Sequence, residues 1–244
     1  MMKILVTGIS GRMGQTVKLA VELNEATEMA ATHDVGQDIA AAMSAADCTI
    51  DFSFHGFTPE LLATAVAQGK PLVIGTTGHT DEERAAIAEA AKQIPIVFAS
   101  NYSVGVNTLF WLTRKATQIL KDYDIEIIEM HHHHKLDAPS GTARTLAEVV
   151  CEETGMDYNK DVMHGREGLV GARPQRQIGM HSMRGGDVVG DHTVMYATDG
   201  ERVELTHKAS SRMTFAGGAV RAALWLADKP AGLYNMQDVL GFTN

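Results

Sequence analysis

Lys3-Ile4-Leu5-Val6-Thr7-Gly8-Ile9-Ser10-Gly11-Arg12-Met13-Gly14 opens with an apolar run that breaks at a glycine and passes into helical spacing. The glycines read G-x-x-G-x-x-G. In a strand–turn–helix, Gly8 permits the tight turn, Gly11 lets a pyrophosphate approach the backbone, and Gly14 lets helix close on strand. The N–H groups at the helix start receive phosphate charge, with Arg12 adding a cation and Met13 completing the loop. Because the pattern follows a strand, opens a helix and begins a βαβ unit, it predicts a Rossmann-like dinucleotide-binding domain.

Outward from that loop, strands are expected at 3–7, 29–33, 48–52, 71–75 and 94–99, with helices at 12–23, 58–68 and 81–92. Strands spaced by helices of this length imply a mostly parallel sheet. The alanine-rich stretch 35–47 makes the second crossover short. A long helix over 105–120 and a strand over 124–132 follow. A second helix runs from Pro139-Ser140-Gly141-Thr142 to about Glu153, and 152–173 reads as loops with a short element. From Gln175 the period is near two, over 178–182, 187–198 and 202–208, with Asp199-Gly200 as a hairpin turn. Residues 215–229 return to helical spacing and stop at Pro230. The fold class is therefore α/β: a dinucleotide-binding domain at 1–101, then an α+β domain at 102–215 on a mixed, largely antiparallel sheet. The segment 216–244 is left able to pack back on the first domain.

The chain has 244 residues, 45% of them hydrophobic, and a formal net charge of -9. That acidity argues against a nucleic acid or an anionic membrane as general partner. No apolar run approaches the length that spans a bilayer, and no signal-peptide pattern opens the sequence, so a cytoplasmic protein is expected. Cys48 and Cys151 read as reduced buried thiols.

Candidate cofactor residues lie at the carboxyl ends of the first-domain strands, the binding edge of such sheets. Asp34 has the spacing of an acid that binds a ribose 2′-hydroxyl, whereas His33 beside it could tolerate a 2′-phosphate, which leaves NADH and NADPH both open. Gly75, Thr76 and Thr77 end the fourth strand with small groups that let a nicotinamide come close. Ala99, Ser100, Asn101 and Tyr102 are expected to do the same after the fifth.

The block His131-His132-His133-His134-Lys135 supports proton donation and anion binding. Adjacent strand residues alternate faces, so four histidines do not converge on one metal without a sharp bend, and no metal is expected. Gly141 and Thr142 open a helix whose N–H groups suit a carboxylate.

The stretch Glu129–Ala143 closely resembles the signature of the 4-hydroxy-tetrahydrodipicolinate (dihydrodipicolinate) reductase family. The resemblance extends through 8–14, 73–78, 98–107, 185–192 and 207–217, and Arg184–Asp187 and Ser210–Arg212 resemble family segments too. His133 departs from it, since many members have arginine there. His33 also departs, where an acid is common. The resemblance implies NAD(P)H-dependent reduction of a cyclic dicarboxylate in the diaminopimelate route to lysine, and a homotetramer. It implies His131 as proton donor or acceptor, Lys135 as second proton donor, and His132, Gly141 and Thr142 as substrate-binding residues. The alternatives are another amino-acid-linked dehydrogenase and a non-enzymatic nucleotide sensor. The first wants a cysteine in catalytic surroundings for an acyl route, and the second has no need of His131 and Lys135.

Overall fold

A computed structural model describes residues 1–242. The chain forms two compact units, Met1–Val104 with the chain from Arg212 onward, and Gly105–Ser211.

The first unit contains β1 (Met2–Thr7), α1 (Arg12–Glu22), β2 (Thr27–His33), α2 (Ile39–Ser44) and β3 (Cys48–Asp51). After a 3₁₀ turn at His55–Phe57 come α3 (Thr58–Gln68), β4 (Leu72–Ile74), α4 (Asp81–Ala90) and β5 (Pro95–Phe98). β1, β3, β4 and β5 pair in parallel through the centre of the sheet, and β2 lies outside β1. The runs Ile4-Leu5-Val6 and Leu72-Val73-Ile74 are fully buried, as strands covered on both faces require. Local chemistry starts and stops the helices. Thr80 and Glu83 form a reciprocal capping box on α4, and Gly69 ends α3 in the left-handed conformation.

The second unit contains α5 (Val104–Ile119), β6 (Asp124–His131), α6 (Gly141–Thr154), α7 (Tyr158–Asp161), β7 (Val162–His164), β8 (Ile178–Arg184), β9 (Gly190–Thr198) and β10 (Glu201–Ala209). Its sheet runs β10-β9-β6-β8-β7 and is mixed as expected: β9 is antiparallel to β10 and β6, while β8 is parallel to β6 and β7. Asp199-Gly200 makes the hairpin, with Gly200 at φ +91°. Leu109 and Phe110 from α5 and Leu146, Ala147 and Val150 from α6 pack on Ile125, Ile127, Val194 and Tyr196 of the sheet.

The end of the chain returns to the first unit. α8 (Met213–Leu226) packs through Ala216, Ala219, Val220 and Ala223 into the core of Val6, Val17, Ile50 and Val73. β11 (Gly232–Tyr234) then pairs parallel to β5 as an edge strand, and α9 (Met236–Leu240) follows. A three-residue strand is too short to show a period, so β11 and α9 left no sequence signal.

Candidate active site

In the first unit, the glycines of the β1–α1 loop are held by backbone contacts. Gly8 lies at φ +69°, and a Cβ there would meet the Phe52 carbonyl oxygen at 2.4 Å. A Cβ on Gly14 would stand 2.1 Å from the Gly8 carbonyl oxygen, so helix and strand are as close as backbones allow. Gly11 is the N-cap of α1 and supplies no side-chain cap; Arg12 beside it is exposed. The leading N–H groups of an 11-residue helix and a guanidinium thus stand at one exposed turn, which fits a pyrophosphate. Met13 is half-buried against the core.

Asp34 stands at the carboxyl end of β2, accepting the Ser10 N–H at 2.7 Å and the Val35 N–H at 2.9 Å. Hydrogen bonding from Ser10 holds its carboxyl below the ordinary range. It therefore stays an anion beside the β1–α1 loop, and the residues present fit a dinucleotide.

The structure redistributes the other expected cofactor residues. The His33 ring is buried, stacked on Phe57 at 5.0 Å, with Nε2 3.1 Å from the Gln37 carbonyl, so it is not presented beside Asp34. Gly75 is required by the protein's own packing, because a Cβ would overlap the Phe52 ring at 2.3 Å. The Thr76 hydroxyl is committed to Asp51, while Thr77 is exposed. The Tyr102 side chain is a core residue. Its hydroxyl donates to the carbonyls of Ile74 and Val97, both at 2.9 Å, and a Cβ on Gly218 of α8 would meet the Tyr102 carbonyl oxygen at 1.8 Å. Ala99, Ser100 and Asn101 keep their place at the end of β5, and Asn101 Oδ1 accepts the Ser103 N–H at 2.9 Å.

In the second unit, β6 ends at His131. His131 and Glu129 share a strand face at i, i+2, and Glu129 Oε2 lies 2.6 Å from His131 Nδ1. Glu129 is completely buried, and both its oxygens receive the Arg184 guanidinium at 2.9 Å. It also accepts the Ser140 N–H at 3.2 Å. Burial pushes its carboxyl up, but His131, Arg184 and Ser182 more than offset this and hold it down at about 2.

Ser140 is the N-cap of α6, its hydroxyl accepting the Ala143 N–H and lying 2.9 Å from His192 Nε2. The His192 ring packs edge-on to His131 at 5.1 Å. Burial, then the positive charge available at His131, pushes His192 down to about 3, so it is neutral. Gly141 and Thr142 begin the helix that Ser140 heads. Beyond His131 the chain turns. The His132 N–H donates to the Val188 carbonyl at 2.7 Å, and His133 and His134 are exposed with their rings 3.9 Å apart. Strand alternation therefore does not extend past His131. Lys135 pairs with Asp137 at 2.8 Å, and Arg184 reaches the Asp137 carbonyl at 2.6 Å.

The structure thus joins His131, Lys135 and the head of α6 through Glu129 and Arg184. Glu129, Ser140 and His192 were not among the expected site residues. The i, i+2 spacing of Glu129 and His131 was the one signal that could have found the first of them.

A model of the N-terminus of dihydrodipicolinate reductase matches residues 2–102, and one of its C-terminus matches 105–240. The chain is 66% identical to a 4-hydroxy-tetrahydrodipicolinate reductase of Akkermansia muciniphila, over 100% of this chain and 99% of that one. It is 46% identical to one of Magnetococcus marinus, over 98% of each. A dipicolinate-bound dihydrodipicolinate reductase from Paenisporosarcina sp. TG-14 superposes with a TM-score of 0.77 at 25% identity, over 98% of both chains. With both halves matched along nearly its whole length, the chain belongs to the dihydrodipicolinate reductase family.

Proposed function

We propose that the protein reduces 4-hydroxy-tetrahydrodipicolinate to tetrahydrodipicolinate, with loss of water, in the diaminopimelate route to lysine. One observation carries this reading. A single buried carboxylate, Glu129, ties the His131 imidazole to the head of α6, so a proton-transfer group and an anion-receiving helix start belong to one rigid cluster. A cyclic dicarboxylate supplies the matching chemistry, and the Paenisporosarcina relative is described as dipicolinate-bound.

The 4-hydroxyl leaves with a C3 hydrogen as water to give a conjugated imine, and a bound nicotinamide dinucleotide would supply the hydride that this reading sends to ring C4. Negative charge then moves toward ring C3 and nitrogen, and His131 meets it with a proton. Lys135, kept in place by Asp137, is the second proton donor and holds positive charge near the ring. His132 binds the substrate, and the N–H groups of Gly141 and Thr142 with the Thr142 hydroxyl receive a carboxylate. Gly8, Gly11, Arg12 and Gly14 seat the pyrophosphate. Asp34 takes the adenosine ribose, and with His33 turned inward it leaves a negative charge against a 2′-phosphate, so NADH is the preferred reductant.

The same reading makes the enzyme cytoplasmic and a homotetramer. Support for the tetramer lies in the sheet of the second unit, where α5 and α6 pack on one face. The other face carries the half-buried Ile128, Met130, Thr193 and Met195. No helix among the described residues is long and apolar enough to cross a membrane.

The test is oxidation of NADH and of NADPH, measured separately, with the hydroxylated tetrahydropyridine dicarboxylate generated in place. Substrate-dependent turnover with a higher kcat/KM for NADH is expected. No turnover with either nucleotide overturns the reading, and a monomer by light scattering overturns the assembly.

A further inference from the structure

The two nitrogens of the His131 ring stand in opposite circumstances. Nδ1 is held at 2.6 Å by Glu129 Oε2, whereas Nε2 has no hydrogen-bond partner among the described residues. Glu129 is itself fixed from three sides, by Arg184 on both oxygens and by the Ser140 N–H. So held, Glu129 stays a carboxylate and only accepts. The hydrogen between Glu129 and His131 therefore belongs to Nδ1.

Gly190, the first residue of β9, stands at the other nitrogen. A Cβ there would lie 3.0 Å from His131 Nε2 and 3.5 Å from His192 Cε1. Gly190 is not among the glycines at positive φ, so its backbone does not demand glycine. A side chain there would instead crowd Nε2, and the His131 ring, held at Nδ1, would have to give way. His192 walls the ring edge-on and, being neutral, offers no competing charge.

We infer that Glu129 is the positioning residue that sets the His131 tautomer, with the fixed N–H on Nδ1 and the exchangeable site on Nε2, and that position 190 is glycine to keep Nε2 open. This rests on the reading of His131 as the proton-transfer residue. A carboxylate behind an imidazole fixes both ring orientation and tautomer, and stabilises the imidazolium when it forms.

The experiment compares wild type, Glu129→Gln and Gly190→Ala by kcat, dinucleotide dissociation constant and ¹⁵N NMR of the His131 ring. Glu129→Gln should lower kcat about 10²-fold, leave dinucleotide affinity unchanged, and move the ring nitrogens from one tautomer toward a mixture. A folded Glu129→Gln with wild-type kcat and ring shifts overturns the inference. If that variant does not fold, Gly190→Ala decides. It keeps the Glu129 contacts, and kcat should fall about tenfold or more with the tautomer intact; wild-type kcat there overturns the inference. The NMR result is independent of turnover. Failure of the wild type to reduce the substrate counts against the functional reading, and unchanged ring shifts count against Glu129.

Discussion

The Thr76 hydroxyl donates to one carboxylate oxygen of Asp51 at 2.5 Å, while the other oxygen takes the hydroxyls of Thr7 and Ser53, both at 2.5 Å. Asp51 is completely buried at the end of β3, and its three donors sit at the ends of β1, β3 and β4. One carboxylate thus pins together the carboxyl ends of three neighbouring strands.

Asp51→Asn replaces an acceptor-only group by one that also donates, leaving a buried hydroxyl facing an N–H. A loss of about 1–3 kcal/mol in stability is expected from the unsatisfied group, with weaker dinucleotide binding. Urea denaturation and a fluorescence titration with NADH check this, and wild-type values in both refute it.

His131→Gln keeps the size of the side chain and a polar atom but cannot transfer a proton at neutral pH. Turnover should fall about 10²-fold or more while dinucleotide affinity holds. Equal kcat in a folded variant removes His131 from the chemistry.

On the proposed reading, Asp34→Ala removes an anion that faces the adenosine ribose. The ratio of kcat/KM for NADPH to that for NADH should rise by at least about tenfold, since the like charge facing the phosphate is gone. An unmoved ratio shows that Asp34 does not face the ribose.

Acid stability should fall in two windows. His192 is pushed down from 6.5 to about 3, so between these values the unfolded chain binds a proton that the folded chain does not, and stability drops as pH falls from 6.5. Burial pushes Glu126 up, yet Arg166, His181 and Arg173 hold it at about 2 against an ordinary 4.5, as in Glu129. Their contribution is whole above 4.5 and is lost as pH falls toward 2. Denaturation midpoints from pH 7 to 3 should therefore decline from 6.5 and steepen below 4.5. In His192→Gln the upper part of that decline should flatten, and an unchanged slope there contradicts the assignment.

Gly218→Ala places a methyl 1.8 Å from a backbone oxygen that cannot rotate away. It should destabilise the first unit by about 3 kcal/mol or more, and a thermal midpoint equal to wild type refutes this packing.

Much of this could be read locally. The glycine loop, the parallel strands and the hairpin at Asp199-Gly200 are written in neighbouring residues, because turns, caps and alternation act over a few positions. Tyr102 shows the limit. Its place after β5 suggested the cofactor edge, but its hydroxyl turns in to the Ile74 and Val97 carbonyls and α8, more than a hundred residues later, closes on its backbone. His133 and His134 show another, since a run of identical residues does not announce that the strand stops at His131.

By itself, then, the sequence determined the glycine loop, the two kinds of sheet and the family to which the chain belongs, all of them properties of type and spacing. Tertiary structure alone decided which nitrogen of His131 is committed, that Arg184 closes on Glu129 from 55 positions away, and that Asp51 gathers three hydroxyls. Those outcomes follow from burial. An ionised carboxylate taken out of water must find donors wherever the fold brings them, and sequence distance does not tell which donors those are.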